Sequence, residues 1–210
     1  MSFAGFRIGI DFDNTIVGYD DVMCRLASER GLIGGSERTK RAVRDRIRQR
    51  PGGEIEWQKV QALAYGPRMA EAVLLEGADE FIRRCRRAGM AVFIVSHKTP
   101  FADYDETGTD LRAAAMAWMT AQRFFEADGL NLSCGDVYFE STRAGKIARI
   151  EQIGCSHFID DLVEVFLEPS FPRGVEKLLL APDAATVPDA GAAVMSSWRA
   201  LCDYFFSGRD

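Results

Sequence analysis

Short, continuous apolar runs separated by helix-like segments constrain the fold of this chain more than any other feature of its sequence. Because these runs lack the alternation of a half-buried strand, they favour strands that are covered on both faces of a parallel sheet. The runs predict five strands, at residues 6–12, 90–96, 136–140, 156–161 and 176–182. Strands that alternate with helices in this way indicate an α/β fold with a doubly wound, mostly parallel, five-stranded sheet.

The segments between these runs carry apolar residues at helical spacing. They predict helices at residues 77–89, 110–129, 143–154 and 190–208. Gly89 and Gly129 are expected to end the first two helices, because glycine often follows the last helical turn. The last segment is expected to be a helix that packs on the sheet.

Residues 19–73 interrupt this alternation of strands and helices, because they contain several helical patterns and no good strand. A connection between a strand and the next helix normally needs only a few residues. The sequence therefore predicts an inserted helical unit at 19–73 and an α/β core built from residues 1–18 and 74–210.

Composition and charge limit the class of protein. With 210 residues, of which 47% are hydrophobic and 27% charged, the chain suits one globular domain with a modest insertion. The formal net charge of −5 gives no reason to expect nucleic acid as a partner. No apolar stretch approaches the ~18 residues that cross a bilayer, and the N-terminus has no signal-peptide pattern. The five cysteines are scattered without a C-x-x-C pair, so reduced thiols in a cytoplasmic protein are expected.

Polar residues follow the predicted strands, at the points where the strands of an open parallel sheet bind ligands. Charged groups beside an apolar interior are costly to desolvate without a compensating partner, so their presence indicates a use. The residues are Asp11 and Asp13 after the first run, Ser96 and His97 at the second, Asp160 and Asp161 at the fourth, and Lys146 on the helix before the fourth run. Carboxylates, a hydroxyl and an ammonium are therefore expected at one edge of the sheet.

These groups suit the transfer of a phosphoryl group. Clustered carboxylates without neighbouring cysteine or histidine ligands favour a hard cation, most simply Mg²⁺. A lysine and a hydroxyl can hold the phosphate oxygens and stabilise the charge that spreads over them. One aspartate can attack phosphorus, and another, two residues on, can serve the leaving group as a general acid.

In their order along the chain, these residues resemble the four motifs of the haloacid dehalogenase (HAD) superfamily of phosphohydrolases. The first motif, D-x-D-x-[TV], matches residues 11–15. The second, an apolar strand that ends in serine or threonine, matches the run that ends at Ser96. The third, a lysine on a helix, matches Lys146, and the fourth, an apolar strand followed by two acids, matches "HFIDD". The resemblance covers residues 6–182 and implies a HAD-like Rossmannoid core.

The resemblance implies a role for each catalytic candidate. Asp11 resembles the nucleophile that forms an aspartyl-phosphate, and Asp13 resembles the general acid and base, with its backbone carbonyl facing the metal. Ser96 and Lys146 resemble the pair that binds the phosphate. An acid at position 13 implies a phosphatase rather than a dehalogenase, since the dehalogenase branch lacks an acid there.

The resemblance also implies a metal and a substrate class. The implied ion is Mg²⁺, and its implied ligands are Asp11, Asp13, Asp160 and Asp161, without a distinction between the last two. The insertion resembles the helical cap that closes over small substrates, so we expect a small phosphorylated metabolite, either a sugar phosphate or a nucleotide. His97, which follows Ser96 directly, is a further candidate for contact with the substrate. The oligomeric state is left open.

Two other functions stay open. A phosphosugar mutase would use the same intermediate but return the phosphoryl group to the sugar, and a non-catalytic member would bind a ligand through the same cleft. A nucleotide-binding P-loop is excluded around Lys146, because Glu140 and Ile147 replace its first glycine and its final hydroxyl. The basic run at 38–50 is expected to be a solvated helix face, or an electropositive surface that attracts anionic substrates.

Overall fold

The structure, a computed structural model, describes residues 5–105, 107–182 and 188–207. Its strands are β1 (Arg7–Ile10), β2 (Val17–Gly18), β3 (Val73–Leu74), β4 (Ala91–His97), β5 (Val137–Glu140), β6 (His157–Asp160), β7 (Glu176–Leu180) and β8 (Ala193–Met195). Its α-helices are α1 (Asp20–Glu29), α2 (Lys40–Arg48), α3 (Gly53–Tyr65), α4 (Ala78–Arg87), α5 (Leu111–Ala121), α6 (Arg143–Ile153), α7 (Val163–Phe166) and α8 (Trp198–Phe206). None of the helices in these ranges is long and apolar enough to cross a membrane. Residues 1–4, 106, 183–187 and 208–210 of the predicted core lie outside the described residues, and residue 208 is also the end of the predicted last helix.

In the described residues, six strands form one sheet in the order β5-β4-β1-β6-β7-β8, and every neighbouring pair is parallel. The predicted α/β class and mostly parallel sheet are confirmed, and the sheet has six strands rather than five. The additional strand, β8, comes from the segment predicted as a helix at 190–208. That helix begins only at Trp198, where the Ser197 hydroxyl caps it by accepting a hydrogen bond from the Ala200 amide at 3.1 Å.

The order of the strands contains a point at which the direction of winding reverses. From β1 the chain adds β4 and β5 on one side, and it then crosses back to place β6, β7 and β8 on the other side. The reversal therefore lies between β1 and β6. Open α/β sheets bind ligands at such a point, outside the carboxyl ends of the strands. The fold thus places Asp11 and Asp160, at the ends of β1 and β6, where a site is expected.

Helices cover both faces of the central strands. Phe93 and Val95 of β4 belong to a buried cluster with the apolar residues of α6 and α7. The alternate residues of β4 point to the opposite face, which contacts α4. There Phe81 of α4 packs against Trp198 of α8, with 5.3 Å between the ring centroids. Coverage on both faces explains why the strands appear in the sequence as continuous apolar runs.

The helix predicted at 110–129 ends early, since α5 stops at Ala121. Arg123 adopts a left-handed conformation with a φ of 62°, which ends the helical path. In the turn that follows, a Cβ atom at Gly129 would lie 1.9 Å from the carbonyl oxygen of Arg123. Gly129 therefore serves a tight turn and not, as the sequence predicts, the end of a helix.

The chain divides into two compact units. One comprises Val17–Val73 and Thr99–Gln122 and contains α1, α2, α3 and α5, whereas the other contains the six-stranded sheet with α4, α6, α7 and α8. The sequence predicts residues 99–122 as part of the core, but α5 groups with the helices of the insertion. A physical reason is the Trp118 indole, which donates a hydrogen bond to the carbonyl of Ala72 at 2.9 Å.

Candidate active site

The register of the sheet brings the predicted acids of β1 and β6 side by side. Ile10 pairs with Ile159, and the amide of Asp11 donates a hydrogen bond to the carbonyl of Ile159 at 2.9 Å. Asp11 and Asp160 therefore stand at the same level of the carboxyl edge, each at the end of a buried strand.

A single buried ammonium group binds both of these carboxylates. Lys146 Nζ lies 2.6 Å from Asp11 Oδ1 and 2.6 Å from Asp160 Oδ2, and the side chains of the three residues are 2%, 7% and 0% exposed. Lys146 reaches them from the first turn of α6, where the Thr142 hydroxyl caps the helix by accepting a hydrogen bond from the Gly145 amide at 3.0 Å. Because water hardly reaches these ion pairs, they hold the Asp11 carboxylate in one orientation.

Asp161 completes a group of three carboxylates. Oxygens of Asp11, Asp160 and Asp161 all lie within 4.8 Å of one another, a spacing at which one cation can bind all three. The buried hydroxyl of Thr15 lies between them, 3.4 Å from Asp11 Oδ2 and 3.4 Å from Asp161 Oδ1. The Thr15 carbonyl accepts a hydrogen bond from the Trp198 indole at 3.0 Å, which ties the loop after β1 to α8.

The electrostatics of this cluster favour an additional cation. Three carboxylates and the one ammonium of Lys146 leave two negative charges at a buried site. Burial raises the pKa of Asp11 to about 7; the charge of Lys146 opposes this rise, and Asp160 and Asp13 reinforce it. Burial also disfavours the charged form of Lys146, but attraction to Asp11 and Asp160 outweighs it and raises the pKa of the ammonium. A divalent cation would offset the remaining charge and favour the ionised form of Asp11.

Ser96 and His97 differ in their surroundings. Ser96 is 1% exposed, and no hydrogen-bond partner of its hydroxyl is found among the described residues. Because Ile10 pairs with Ile94, Ser96 lies at the carboxyl edge of the strand next to β1. His97 is exposed, and its Nε2 atom donates a hydrogen bond to the carbonyl of Ser141 at 3.1 Å. The proposed contact between His97 and a substrate stays a prediction.

Asp13 forms an ion pair with Lys98 that no sequence pattern predicts. Lys98 Nζ lies 2.8 and 3.1 Å from the two carboxylate oxygens of Asp13. The Lys98 side chain is 2% exposed, whereas that of Asp13 is 18% exposed. Lys98 Nζ also lies 5.7 Å from the centre of the Phe12 ring, and its backbone amide donates a hydrogen bond to the carbonyl of Glu140 at 2.8 Å.

Thr15 and Lys98 also contact the acids, and the sequence predicts no role for either residue. A signal for Lys98 is present in the sequence, because it follows Ser96 by two residues and so lies on the same face of an extended chain. The polar segment that begins at His97 has the composition of a loop, which hid this relationship.

The basic run at 38–50 includes α2 and carries its own counter-charges. The ion pairs have N–O distances of 2.6–3.9 Å and join Arg41 and Arg44 to Asp45, Arg46 to Glu37, and Arg48 to Glu54. Such pairs offset much of the positive charge of the helix, which favours the interpretation of the run as a solvated face.

A surface cleft of about 450 Å³ lies elsewhere in the core and is lined by Arg83, Arg86, Arg87 and residues 127–131. None of the predicted site residues lines this cleft. It lies near the end of α4, shortly before β4 begins, whereas the acids follow the ends of β1 and β6. The candidate site is therefore defined by its converging polar groups rather than by this cleft.

Comparison with solved structures identifies the class to which this fold belongs. No protein-family model matches the sequence, and a comparison with curated proteins finds no match. Solved structures do match over nearly the whole chain, and the fold that they share with it is that of the HAD-type hydrolases. The predicted HAD-like Rossmannoid core is thereby confirmed.

Three of these structures illustrate the likeness. A HAD family hydrolase from Deinococcus radiodurans R1, with bound phosphate and sodium, is 18% identical with a TM-score of 0.59, covering 97% of this chain and 96% of that one. An L-2-haloacid dehalogenase is 14% identical with a TM-score of 0.57, over 95% and 97% of the two chains. A hydrolase from Pseudomonas syringae is 13% identical with a TM-score of 0.53, over 98% and 100%. At these identities the likeness shows the fold alone.

Proposed function

We propose that this chain is a member of the HAD superfamily and a Mg²⁺-dependent phosphomonoester hydrolase that acts on a small phosphorylated metabolite. The observation that carries the proposal is the buried cluster at the reversal point of the sheet, where Lys146 holds Asp11 and Asp160 beside Asp161. An aspartate fixed by a buried ammonium at the end of a central strand is suited to act as a nucleophile toward an anionic phosphate.

The donor set fits the proposed metal. The residues that would hold it are Asp11, Asp160 and Asp161 through carboxylates and Asp13 through its backbone carbonyl. All of these are oxygen ligands, which Mg²⁺ prefers, and the two uncompensated negative charges match a divalent ion. When bound, Mg²⁺ would reduce the repulsion between a carboxylate and an anionic phosphate.

The proposed reaction has two half-reactions. In the first, a carboxylate oxygen of Asp11 attacks phosphorus, the bond from phosphorus to the ester oxygen breaks, and the carboxyl proton of Asp13 passes to the departing oxygen. In the second, Asp13 takes a proton from a water molecule whose oxygen attacks phosphorus, and the bond between phosphorus and Asp11 breaks. Inorganic phosphate leaves, and both aspartates return to their starting forms.

The remaining candidates would bind the phosphate oxygens. The Ser96 hydroxyl and the Lys146 ammonium can both donate hydrogen bonds to an oxyanion. The presence of bound phosphate in the Deinococcus radiodurans hydrolase supports a phosphate ligand for a site on this fold. We further propose that residues 19–73 act as a cap that selects small substrates, and that neither nucleic acid nor a membrane is a partner.

A dehalogenase is the second candidate function, because one structural neighbour is an L-2-haloacid dehalogenase. Asp13 argues against it, since a second acid two residues after the nucleophile suits proton transfer to an alcohol, whereas a departing halide needs no proton. Release of halide from 2-haloacids in the presence of a chelator would favour this candidate instead.

The test is phosphate release from a panel of sugar phosphates, nucleoside monophosphates and other phosphorylated metabolites, with Mg²⁺ and with a chelator. We expect release that depends on the metal and falls to background in D11N, because asparagine keeps the shape of Asp11 but has no carboxylate oxygen with which to form the aspartyl-phosphate. D79N is a matched control, since Asp79 lies on α4 and pairs with Arg83, and it is not among the charges that shift the pKa of Asp11. Little release from a phosphosugar that is interconverted on addition of a bisphosphate would identify a mutase.

A further inference from the structure

Lys98 is a buried lysine whose ammonium group contacts the carboxylate of Asp13. Its Nζ atom contacts both oxygens of Asp13 and lies over the ring of Phe12, and the side chain is 2% exposed. Burial of an ammonium group is costly unless it is paired and hydrogen-bonded. A lysine in this position is therefore expected to have a specific use for its charge.

The two members of this ion pair differ in their access to solvent. Asp13 retains 18% exposure, and it lies on the turn that leaves β1, where Asn14 adopts a positive φ of 61°. Lys98 lies on the buried side of the pair, and its backbone amide is fixed by the carbonyl of Glu140. The Asp13 carboxylate therefore lies on the more accessible side of the pair, and the Lys98 ammonium contacts it from the buried side.

This arrangement separates Lys98 from the other buried lysine of the site. Lys146 binds Asp11 and Asp160, whereas Lys98 binds the acid that exchanges a proton. Each aspartate of the first motif thus has its own ammonium group. A partly exposed aspartate on a turn can rotate about its side-chain torsions, and a two-oxygen contact with one ammonium restricts that rotation.

We propose that Lys98 is a positioning residue that acts through Asp13, holding its carboxylate where it exchanges a proton with the leaving group. The proposal rests on the proposed phosphohydrolase function and names a residue that this function does not itself require. Lys98 makes its contribution in the two steps in which Asp13 exchanges a proton, namely departure of the ester oxygen and activation of water.

The test compares kcat/KM for a series of aryl and alkyl phosphates whose leaving alcohols span a wide range of acidity. K98M removes the ammonium but keeps the length of the side chain. We expect K98M to lose at least about 10-fold in kcat/KM with alkyl phosphates and less than about 3-fold with 4-nitrophenyl phosphate, whose leaving group needs little protonation. D13N is expected to show the same pattern with a larger loss, and K98R to restore part of the activity.

Two further comparisons separate this role from a general structural one. In a D13N background, K98M is expected to cause almost no additional loss, because Lys98 acts only through Asp13. K177M is the matched control, since Lys177 is a half-buried lysine of β7 that donates to the carbonyls of Phe166 and Ala190. It is expected to leave the dependence on the leaving group unchanged. An equal loss with every ester in K98M, together with weaker inhibition by inorganic phosphate, would show that Lys98 binds phosphate directly and would overturn the proposal.

A structural readout keeps the inference separate from the proposed function. In a crystal structure of K98M we expect the Asp13 carboxylate to leave its wild-type position while Asp11 and Lys146 keep theirs. An unchanged Asp13 would overturn the proposal even in a protein that hydrolyses no ester at all. Absence of hydrolysis in the wild type, with Asp13 displaced in K98M, would instead contradict the phosphohydrolase function and leave Lys98 as the residue that positions Asp13.

Discussion

Lys146 supplies the positive charge that compensates the buried carboxylates of Asp11 and Asp160. Its ammonium group contacts Asp11 and Asp160, and none of the three side chains has more than 7% exposure. Removal of one partner from a buried ion pair leaves an uncompensated charge, which costs more than the pair itself contributes. The stability of the fold and the chemistry of the site are therefore coupled at this residue.

We expect K146M to lower the free energy of unfolding by about 3–5 kcal/mol at pH 8 in the presence of a chelator. The reason is that two carboxylates would stay buried without a cation. Urea unfolding measures the change, with K177M as the control, since loss of hydrogen bonds to two backbone carbonyls is expected to cost only about 1–3 kcal/mol. Equal losses in the two variants would show that the Lys146 ion pairs carry no special stability.

The raised pKa of Asp11 predicts how stability depends on pH. Because burial raises this pKa from 3.8 to about 7, the folded state binds a proton more tightly than the unfolded state. The contribution to stability is full below pH 3.8 and is lost as the pH rises through about 7, so the free energy of unfolding of the metal-free protein should fall over this range.

Comparison of the wild type with D11N isolates this contribution. Burial lowers the pKa of His157, so the contribution of His157 to stability is lost as the pH falls. The contribution of Asp11 changes in the opposite direction, because it is lost as the pH rises. Both proteins contain His157, so the difference between their stability curves, measured by urea unfolding from pH 4 to 8, cancels its contribution and reports Asp11 together with the charges that act on it. Parallel curves would contradict the prediction.

At the scale of single elements, β1 determines where the nucleophile candidate lies, and Gly9 determines how closely β1 can pack. A Cβ atom at Gly9 would lie 2.6 Å from Phe158 Cδ2 and 2.9 Å from Cys155 Sγ. We expect G9A to destabilise the protein by about 1–3 kcal/mol, because the core must shift to accept the methyl group. The same shift moves Asp11, so phosphate release should also fall.

G174A is the matched control for G9A. A Cβ atom at Gly174 would meet no other atom within 4 Å, and the residue does not adopt a positive φ. Its replacement is expected to change the free energy of unfolding by no more than about 0.5 kcal/mol. Thermal unfolding of both variants measures the contrast, and similar stabilities would show that the core around β1 accommodates a methyl group without strain.

The elements differ in how well the sequence predicts them. The strands β1, β4, β5, β6 and β7 are recognisable because their apolar runs are continuous. Most residues of β1, β4, β6 and β7 are buried, whereas those of β5 are half-buried. The short strand β8 lies in an alanine-rich segment of helical character, and only its pairing with β7, a non-local contact, makes it a strand. The early end of α5 depends on the positive φ of Arg123, which no sequence pattern indicates.

The residues of the site also differ in how well the sequence predicts their positions. Asp11, Asp160, Asp161 and Lys146 are predictable because acids at strand ends and a lysine on the helix before the last of these strands must meet at one sheet edge, and the structure brings them together. The pair of Lys98 with Asp13 depends on the extended path of the chain beyond β4, which a polar sequence does not reveal. A buried ion pair is thus harder to predict than a motif.

At the scale of the whole molecule, the inserted helices leave the sheet uninterrupted. Within the core, the amide of Leu75 donates a hydrogen bond to the carbonyl of Ile16 at 2.9 Å, so the chain leaves and rejoins the core at adjacent points. A long insertion between adjacent points adds little cost in chain entropy to folding of the core, since this cost grows only slowly with loop length.

A metal bound at the cluster of three carboxylates would also change the stability of the whole fold. A ligand that binds only the folded state stabilises it, by about 2.7 kcal/mol at 100 times its dissociation constant. For a chain of this length such a gain corresponds to a rise of about 5–10 °C in the unfolding midpoint. We expect Mg²⁺ to produce this rise in the wild type, measured against a chelator at matched ionic strength.

D161N tests whether the rise comes from the proposed cluster. Asp161 lies in the group of three carboxylates, but the contacts found for Lys146 are with the other two, so its neutralisation leaves the buried ion pairs in place. In the chelator, D161N should therefore unfold at about the wild-type midpoint, whereas its response to Mg²⁺ should be much smaller. An equal response in the two proteins would place the cation elsewhere, and because the readout is thermal unfolding, this conclusion holds whether or not any phosphate ester is hydrolysed.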